Sequence, residues 1–180
     1  MSDEPDAVSS LRAIAHPLRL RILSLLTGAE LSAAEVAREL DVTHANASYH
    51  LRVLAEAGEV VVAGEEKIRG GVAKRYRHPW QEERVQRTGR VPEGDREVYL
   101  RAMGEELVRR GRSRKPGTPS RLTDAELWVT PEVWQQVTAL VQQASHLVHA
   151  EARPPRTPGT VHVNMTAATF EMSDPERDDA

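Results

Sequence analysis

Apolar positions in the first third of the chain recur at helical intervals and are punctuated by capping residues. Leu11 and Ile14, preceded by Ser9 or Ser10 as a cap, predict a short first helix. His16-Pro17 ends it, because the residue before proline avoids the helical region, and Pro17 suits the first turn of the next helix. That helix carries Leu18, Ile22, Leu25 and Leu26 on one face, closes at Thr27-Gly28, and is predicted as the central core element. Ser32 with Glu35 three residues on makes a capping box, followed by a narrow stripe of Val36, Ala37 and Leu40. Asp41-Val42-Thr43 interrupts the pattern. Another helix opens at Thr43 or His44, repeats Ala47, Leu51 and Leu54 at i, i+4 and i+7, and stops near Gly58. The β-branched run Val60 to Ala63 then reads as a strand, Glu65 to Gly71 as a turn-rich tip, and Val72 to His78 as the returning strand.

The second half is patterned differently. Trp80 to Gly94 has no firm periodicity, and Asp95 to Arg110 reads as a helix with Leu100, Met103 and Leu107 on one side. Arg112 to Ser120, with two prolines and a glycine, reads as a linker or exposed loop. Glu126 to Val129 is a short strand candidate. Thr130-Pro131-Glu132 is a helix start with a cap, an N1 proline and an early acid. The helix is expected to run to about Ala152. Its apolar face holds Val133, Val137, Leu140, Ala144 and Leu147, widened by Trp134, Val141 and Val148. After the helix-breaking stretch Arg153 to Gly159, Val161, Val163, Met165 and Ala167 alternate as in a strand. Phe170 and Met172 fall out of phase, as a bulge near Ala167-Ala168 would produce.

Two short helices joined by a tight turn, with small residues Ala45, Ala47 and Ser48 at the entry of the second, form the helix-turn-helix pattern. In that pattern the second helix is offered to the DNA major groove. Around it stand Ala15-His16-Pro17-Leu18-Arg19-Leu20-Arg21-Ile22-Leu23, Ser48-Tyr49-His50-Leu51-Arg52-Val53-Leu54, and Ala57-Gly58 before a strand. In these segments the chain resembles the ArsR-type winged helix-turn-helix transcriptional regulators. The fold class expected is α+β. A winged helix-turn-helix DNA-binding domain spans 8–80, and a small C-terminal α/β dimerisation or sensing unit spans 95–172. The resemblance implies a DNA-binding regulator of transcription and is silent on what the protein senses; a repressor that acts as a homodimer and responds to a small-molecule effector is the expectation.

Composition narrows the choice of class. The 180 residues include no cysteine, so neither a disulfide nor a thiolate metal site is available. The acidic start Met1-Ser2-Asp3-Glu4-Pro5-Asp6 lacks the apolar run of a signal peptide. No apolar segment approaches the roughly 18 residues of a membrane span, so a cytoplasmic protein with no membrane association is expected. The net charge of −3 counts against nucleic acid as a partner, but the charge is unevenly placed. Lys67, Arg69, Lys74, Arg75 and Arg77 follow one another with no acid between them, and a second basic run lies between Arg109 and Arg121. Acids gather at Asp3 to Asp6 and in the tail from Glu171 to Asp179.

With Ala47, Leu51 and Leu54 turned inward, the helical wheel sends Ala45, Asn46, Tyr49 and Arg52 outward, with Thr43 and His44 at the exposed N-terminus. Asn pairs with adenine and Arg with guanine, while Tyr and Thr reach phosphate or a thymine methyl. The candidate DNA-binding residues are therefore Thr43, His44, Asn46, Tyr49 and Arg52 on the helix, with Lys67, Arg69, Lys74 and Arg75 on the wing. The bland alternatives are a solvated helix face and a soluble hairpin with charged edges. His50 flanks the buried face, as a packing or phosphate-contacting residue. Arg19 and Arg21 point to solvent or to DNA phosphates.

His146 and His149 have the i, i+3 spacing of a shared metal site. They lie on the polar side of their helix with Glu151 the only acid close by, so no metal and no cofactor are expected. The chain has no Gly-rich phosphate loop, nucleophile elbow or HExxH, and is not expected to be an enzyme. The wide face of the helix at 131–152 calls for a partner. A homodimer through Trp134, Val137, Val141 and Val148, together with the helix at 95–110, is the expectation. The alternative from another class is a winged-helix module that binds a protein rather than DNA; steep loss of affinity with salt would mark the DNA binder.

Overall fold

The computed structural model describes residues 7–68, 71–80 and 93–173. Its first part is a core of four helices with a hairpin beside it. Helix α1 (Ala7–Ile14) is followed by α2 (Pro17–Thr27), whose N-cap His16 accepts the Leu18 N–H at Nδ1. The short strand β1 (Leu31–Ser32) leads into α3 (Ala33–Leu40) and then α4 (His44–Glu56). Strands β2 (Val61–Ile68) and β3 (Gly71–Arg77) form the wing, and β1 joins the other edge of β3 to give the antiparallel order β1-β3-β2. This is a winged helix-turn-helix. Strand β1 is invisible to periodicity, since two residues carry no pattern.

Burial explains the arrangement. Ile22, Leu26, Val36, Ala47, Leu51, Leu54 and Val60 are each at most 2% exposed and pack as one cluster, with Leu18 and Ile14 at its edge. Ala47 has no volume to spare, which lets α4 approach α2 and α3 closely. The turn between α3 and α4 is made by Asp41, in the left-handed region at φ 53°, with its N–H returned to the Ala37 carbonyl. Asp is among the few side chains that tolerate this conformation. Arg21 donates to the Leu40 carbonyl at 3.0 Å, a cation at the C-terminal end of α3.

Helix α5 (Glu93–Arg112) packs on α1 and α2, but not through the side that its leucines suggest. Asp95, Ala102 and Glu106 are buried and Tyr99 packs against the core, whereas Leu100 and Leu107 are 37% and 43% exposed. The buried Glu106 carboxylate is held by Arg109 at 2.8 Å and Arg110 at 3.3 Å. Two residues of the second basic run are thus committed within the fold.

Helix α6 (Pro131–Ala150) starts at the expected cap, with the Val133 N–H donated to Thr130 Oγ1. The C-terminal α/β unit is corrected in one respect: 126–129 and 161–172 form no strand. Isolated extended segments need a ladder partner, and β1 and β2 are the only edges of the described sheet; neither receives them. Not one residue from 113 to 173 is buried. What ties this arm to the winged domain is a few contacts. Gly28 lies so close to the Arg153 backbone that a Cβ there would sit 2.7 Å from its carbonyl oxygen. Arg156 Nη1 donates to both Glu39 carboxylate oxygens at 2.9 and 3.0 Å, and Arg110 reaches Asn164 at 3.2 Å. The Trp80 ring stands 5.4 Å from both His146 and His149. The termini and the segment 81–92, for which acidic ends and an aperiodic stretch are expected, lie outside the described residues.

Candidate nucleic-acid interface

Four buried side chains set the orientation of α4. Ala47, His50, Leu51 and Leu54 face the core, so Tyr49 and Arg52 emerge on the other side with Ala45 and Asn46, while His44 is exposed at the helix N-terminus. Tyr49 is 56% exposed despite its size. Thr43 is the N-cap: its Oγ1 accepts the Asn46 N–H at 3.2 Å, which fixes the helix start and leaves only its hydroxyl proton and methyl group free for a ligand. Among the described residues Arg52 has no ion pair and Asn46 no side-chain hydrogen bond. The helix therefore presents an unspent donor and acceptor set on a rigid support.

The wing is more mixed than its sequence suggests. Lys67 and Lys74 are exposed, but the hairpin register sets Glu65 opposite Lys74 and Glu66 opposite Ala73. The basic run in β3 is thus interleaved with carboxylates from β2. Ala63 has no partner, since the register shifts between Val62 and Gly64, and this bulge bends the strand. Arg69 lies outside the described residues.

Arg75 is turned inward. Its guanidinium pairs with Glu35 at 3.1 Å and Glu66 at 3.0 Å, and also donates to the Glu30 carbonyl. Glu35 is at the same time the capping-box acid of α3, taking the Ser32 N–H at 2.8 Å. That hydrogen bond, with the Ser32 hydroxyl and Arg75 adding to it, holds the Glu35 carboxyl below its ordinary pKa. Arg75 therefore welds the wing to the start of the helix-turn-helix, and its fork has no free edge comparable to that of Arg52. No periodicity could have shown this, because the partners are 40 residues apart in sequence.

Behind α4 lies a row of rings. The imidazoles of His16 and His50 are 4.7 Å apart, and His50 meets Tyr49 edge-on at 5.1 Å. His50 is 7% exposed, which places it in the packing and away from a ligand. Burial, then the charge of Arg19, lowers the pKa of His16, with Glu105 opposing; burial, then His16 and Arg19, lowers that of His50.

Comparison with known proteins bears on the first of these elements. Residues 14–61 match the helix-turn-helix domain family. The family is ArsR-like, in agreement with the resemblance carried by the His16-Pro17 and Ser48 to Leu54 segments, and its span runs from the end of α1 to the first residue of β2. No curated protein matches the chain. A helix-turn-helix domain implies DNA as the partner, and α4 is its second helix. Nothing in the match reaches α5, α6 or the returning strand of the wing. Among the described residues no three His, Asp or Glu side chains group as a metal site, and no helix is long and apolar enough to cross a membrane.

The half-buried imidazole of His16 and the buried one of His50 generate a pH dependence. The unfolded chain takes up protons near the ordinary histidine pKa, while the folded chain resists until lower pH. The unfolded state therefore binds more protons in the interval, and stability falls as pH drops through it. Protonating His16 also removes the acceptor for the Leu18 N–H. The melting temperature is expected to fall between about pH 7.5 and about pH 5.5, and His50→Phe, which fills the site without titrating, should flatten that fall. A thermal shift series on both proteins checks this.

Proposed function

We propose that the protein is a sequence-specific DNA-binding regulator of transcription that acts as a homodimer. The observation that carries the reading is α4: a helix locked by Ala47, Leu51 and Leu54 whose outward face offers Asn46, Tyr49 and Arg52 uncommitted, in a matched helix-turn-helix domain. In this reading Asn46 and Arg52 address base edges, Thr43 and His44 approach the backbone at the helix N-terminus, and Tyr49 contacts phosphate or a thymine methyl. Lys67 and Lys74 supply phosphate attraction from the wing, while Arg75 supports the wing rather than touching DNA. The carboxylates of Glu65 and Glu66 on the same hairpin favour the second reading, a protein partner. The salt dependence of binding separates the two, since counterion release is a property of polyphosphate.

The homodimer rests on α6. The row Val133, Val137, Leu140, Ala144 and Leu147 alternates steps of four and three, the spacing of a helix-to-helix seam, and every member is exposed. Trp134, Val141 and Val148, expected at the interface, are instead half-buried on the adjoining side. The only charged side chain on α6 is Glu132, so two copies meet without like-charge repulsion along the seam. Monomeric proteins seldom expose an apolar patch beyond roughly a few hundred Å². The outward Leu100 and Leu107 of α5 offer further apolar surface to the same contact. Two recognition helices fixed at one spacing would read two half-sites, and repression responsive to a small-molecule effector then follows from any ligand that favours a different spacing.

Two outcomes are expected. In anisotropy titrations against a tightly bound duplex and its scrambled counterpart, Arg52→Ala should lose about 1–3 kcal/mol on the first and little on the second, whereas Lys67→Ala should weaken both alike. Equal affinity of the wild-type protein and Arg52→Ala for both duplexes would contradict the role of α4. In sedimentation at micromolar concentration the wild-type chain should be a dimer, and Val137→Asp with Leu140→Asp, at positions exposed in the single chain, should give a folded monomer. A wild-type monomer would remove the dimer from the account.

A further inference from the structure

Two segments of the arm are extended and leave their main chain unspent. From 119 to 129 and from 161 to 173 no backbone group hydrogen-bonds another backbone group among the described residues. Their apolar side chains are uncovered as well: Leu127, Trp128 and Val161 are 76, 82 and 81% exposed, and Val129, Val163 and Met165 are open beside them. Neither 127–131 nor 160–170 holds an Asp, Glu, Lys or Arg, so no charge guards these edges against pairing. Together with the α6 seam they leave on the order of 1,000 Å² of large apolar side chain in water, where a stable interface takes about 800 Å² from each partner.

Within one copy the two segments leave opposite ends of α6, a helix about 30 Å long. The linker between α6 and residue 161 is taken up by two turns, the Thr157 N–H on the Pro154 carbonyl and the Thr160 N–H on the Thr157 carbonyl, each at 3.2 Å. Arg156 ties it to Glu39 of α3. Arg110 holds Asn164 at 3.2 Å, so in an extended chain the neighbouring Val163 turns away from α5. A second copy removes the separation. Where two α6 seams meet antiparallel, the start of each helix lies beside the end of the other. Charge favours this direction: Glu132, the only charged side chain of α6, then stands near the helix end that carries His146 and His149, and the helix dipoles oppose. Parallel helices would set Glu132 against Glu132.

We propose that residues 126–129 of one copy and residues 161–167 of a second copy form an inter-chain β-ladder beside the antiparallel α6 seam. Each copy thereby completes the C-terminal unit of the other. This rests on the reading of α6 as a homodimer seam. Val161, Val163, Met165 and Ala167 give the ladder its apolar face, with His162, Asn164 and Thr166 on the other.

The chain has no cysteine, so one introduced thiol per copy can be bridged only between copies. Full-length Leu127→Cys is mixed in turn with size-tagged Val161→Cys, Val163→Cys and Met165→Cys and treated with a short bis-maleimide. At least one mixture should give the tagged–untagged product in greater yield than either variant gives with itself. His162→Pro and Val163→Pro, made separately, remove adjacent N–H donors, of which one faces the partner strand. One of them should raise the dimer dissociation constant about tenfold, because the two-fold repeats the loss, with an unchanged melting temperature of the dissociated chain. If the wild-type chain is a dimer by sedimentation but no mixture bridges, or Val163→Cys bridges more to itself than to Leu127→Cys, the exchanged ladder is wrong while the α6 seam stands. Wild-type dimer affinity in both proline variants has the same meaning. A monomeric wild-type chain removes the seam and the ladder together.

Discussion

A helix of 13 residues that buries Ala47, Leu51 and Leu54 at 0, 1 and 0% exposure has no freedom to rotate. Rotation by one residue would drive Ser48 and Arg52 towards the core and bring leucine into water, at about 1.5–3 kcal/mol for each large side chain. Every outward group on α4 inherits its direction from that constraint. The small side chain of Ala47 lets α4 sit close to α2 and α3, and the left-handed Asp41 sets the angle at which the chain enters. The polar face is therefore a rigid array, which is what recognition of a regular duplex demands.

The wing is aligned to that array by one node of charge. Arg75 joins the capping box of α3 to β2 and to the Glu30 carbonyl, so the same Glu35 that starts the helix-turn-helix also anchors the hairpin. At side-chain exposures of 28% for both Arg75 and Glu35, the node is sheltered enough to act as more than a surface ion pair. The wing is thus braced against the start of the helix-turn-helix.

The winged domain was legible in the sequence because its elements are long enough to show a period and its caps are residue-specific. Ser32 with Glu35, the His16-Pro17 boundary and the 47–51–54 repeat all describe local geometry, and all hold in the structure. Pairing across the chain was not legible. The basic run of β3 looks unopposed only until the hairpin register brings Glu65 and Glu66 across from it. Arg75, a phosphate ligand by residue type, is a brace by position. Helix α5 misled for a different reason: its inward row of Asp95, Tyr99, Ala102 and Glu106 is polar or small, because Glu106 is neutralised by its own Arg109 and Arg110. The alternation at 161–167 is the pattern of a strand without an edge to join.

These differences sharpen the functional account. The winged domain shares its core with α5 through Tyr99, whereas no residue of the arm from 113 to 173 is buried, and the arm leans on the rest through Gly28, Glu39 and Arg110. Selection of bound duplexes from a random pool by the wild-type chain tests the central claim, that α4 reads sequence in the major groove. The account predicts recovery of a common sequence made of two inverted half-sites with centres about 10–10.5 base pairs apart, one turn of DNA. Recovery of no shared sequence after repeated selection would contradict it.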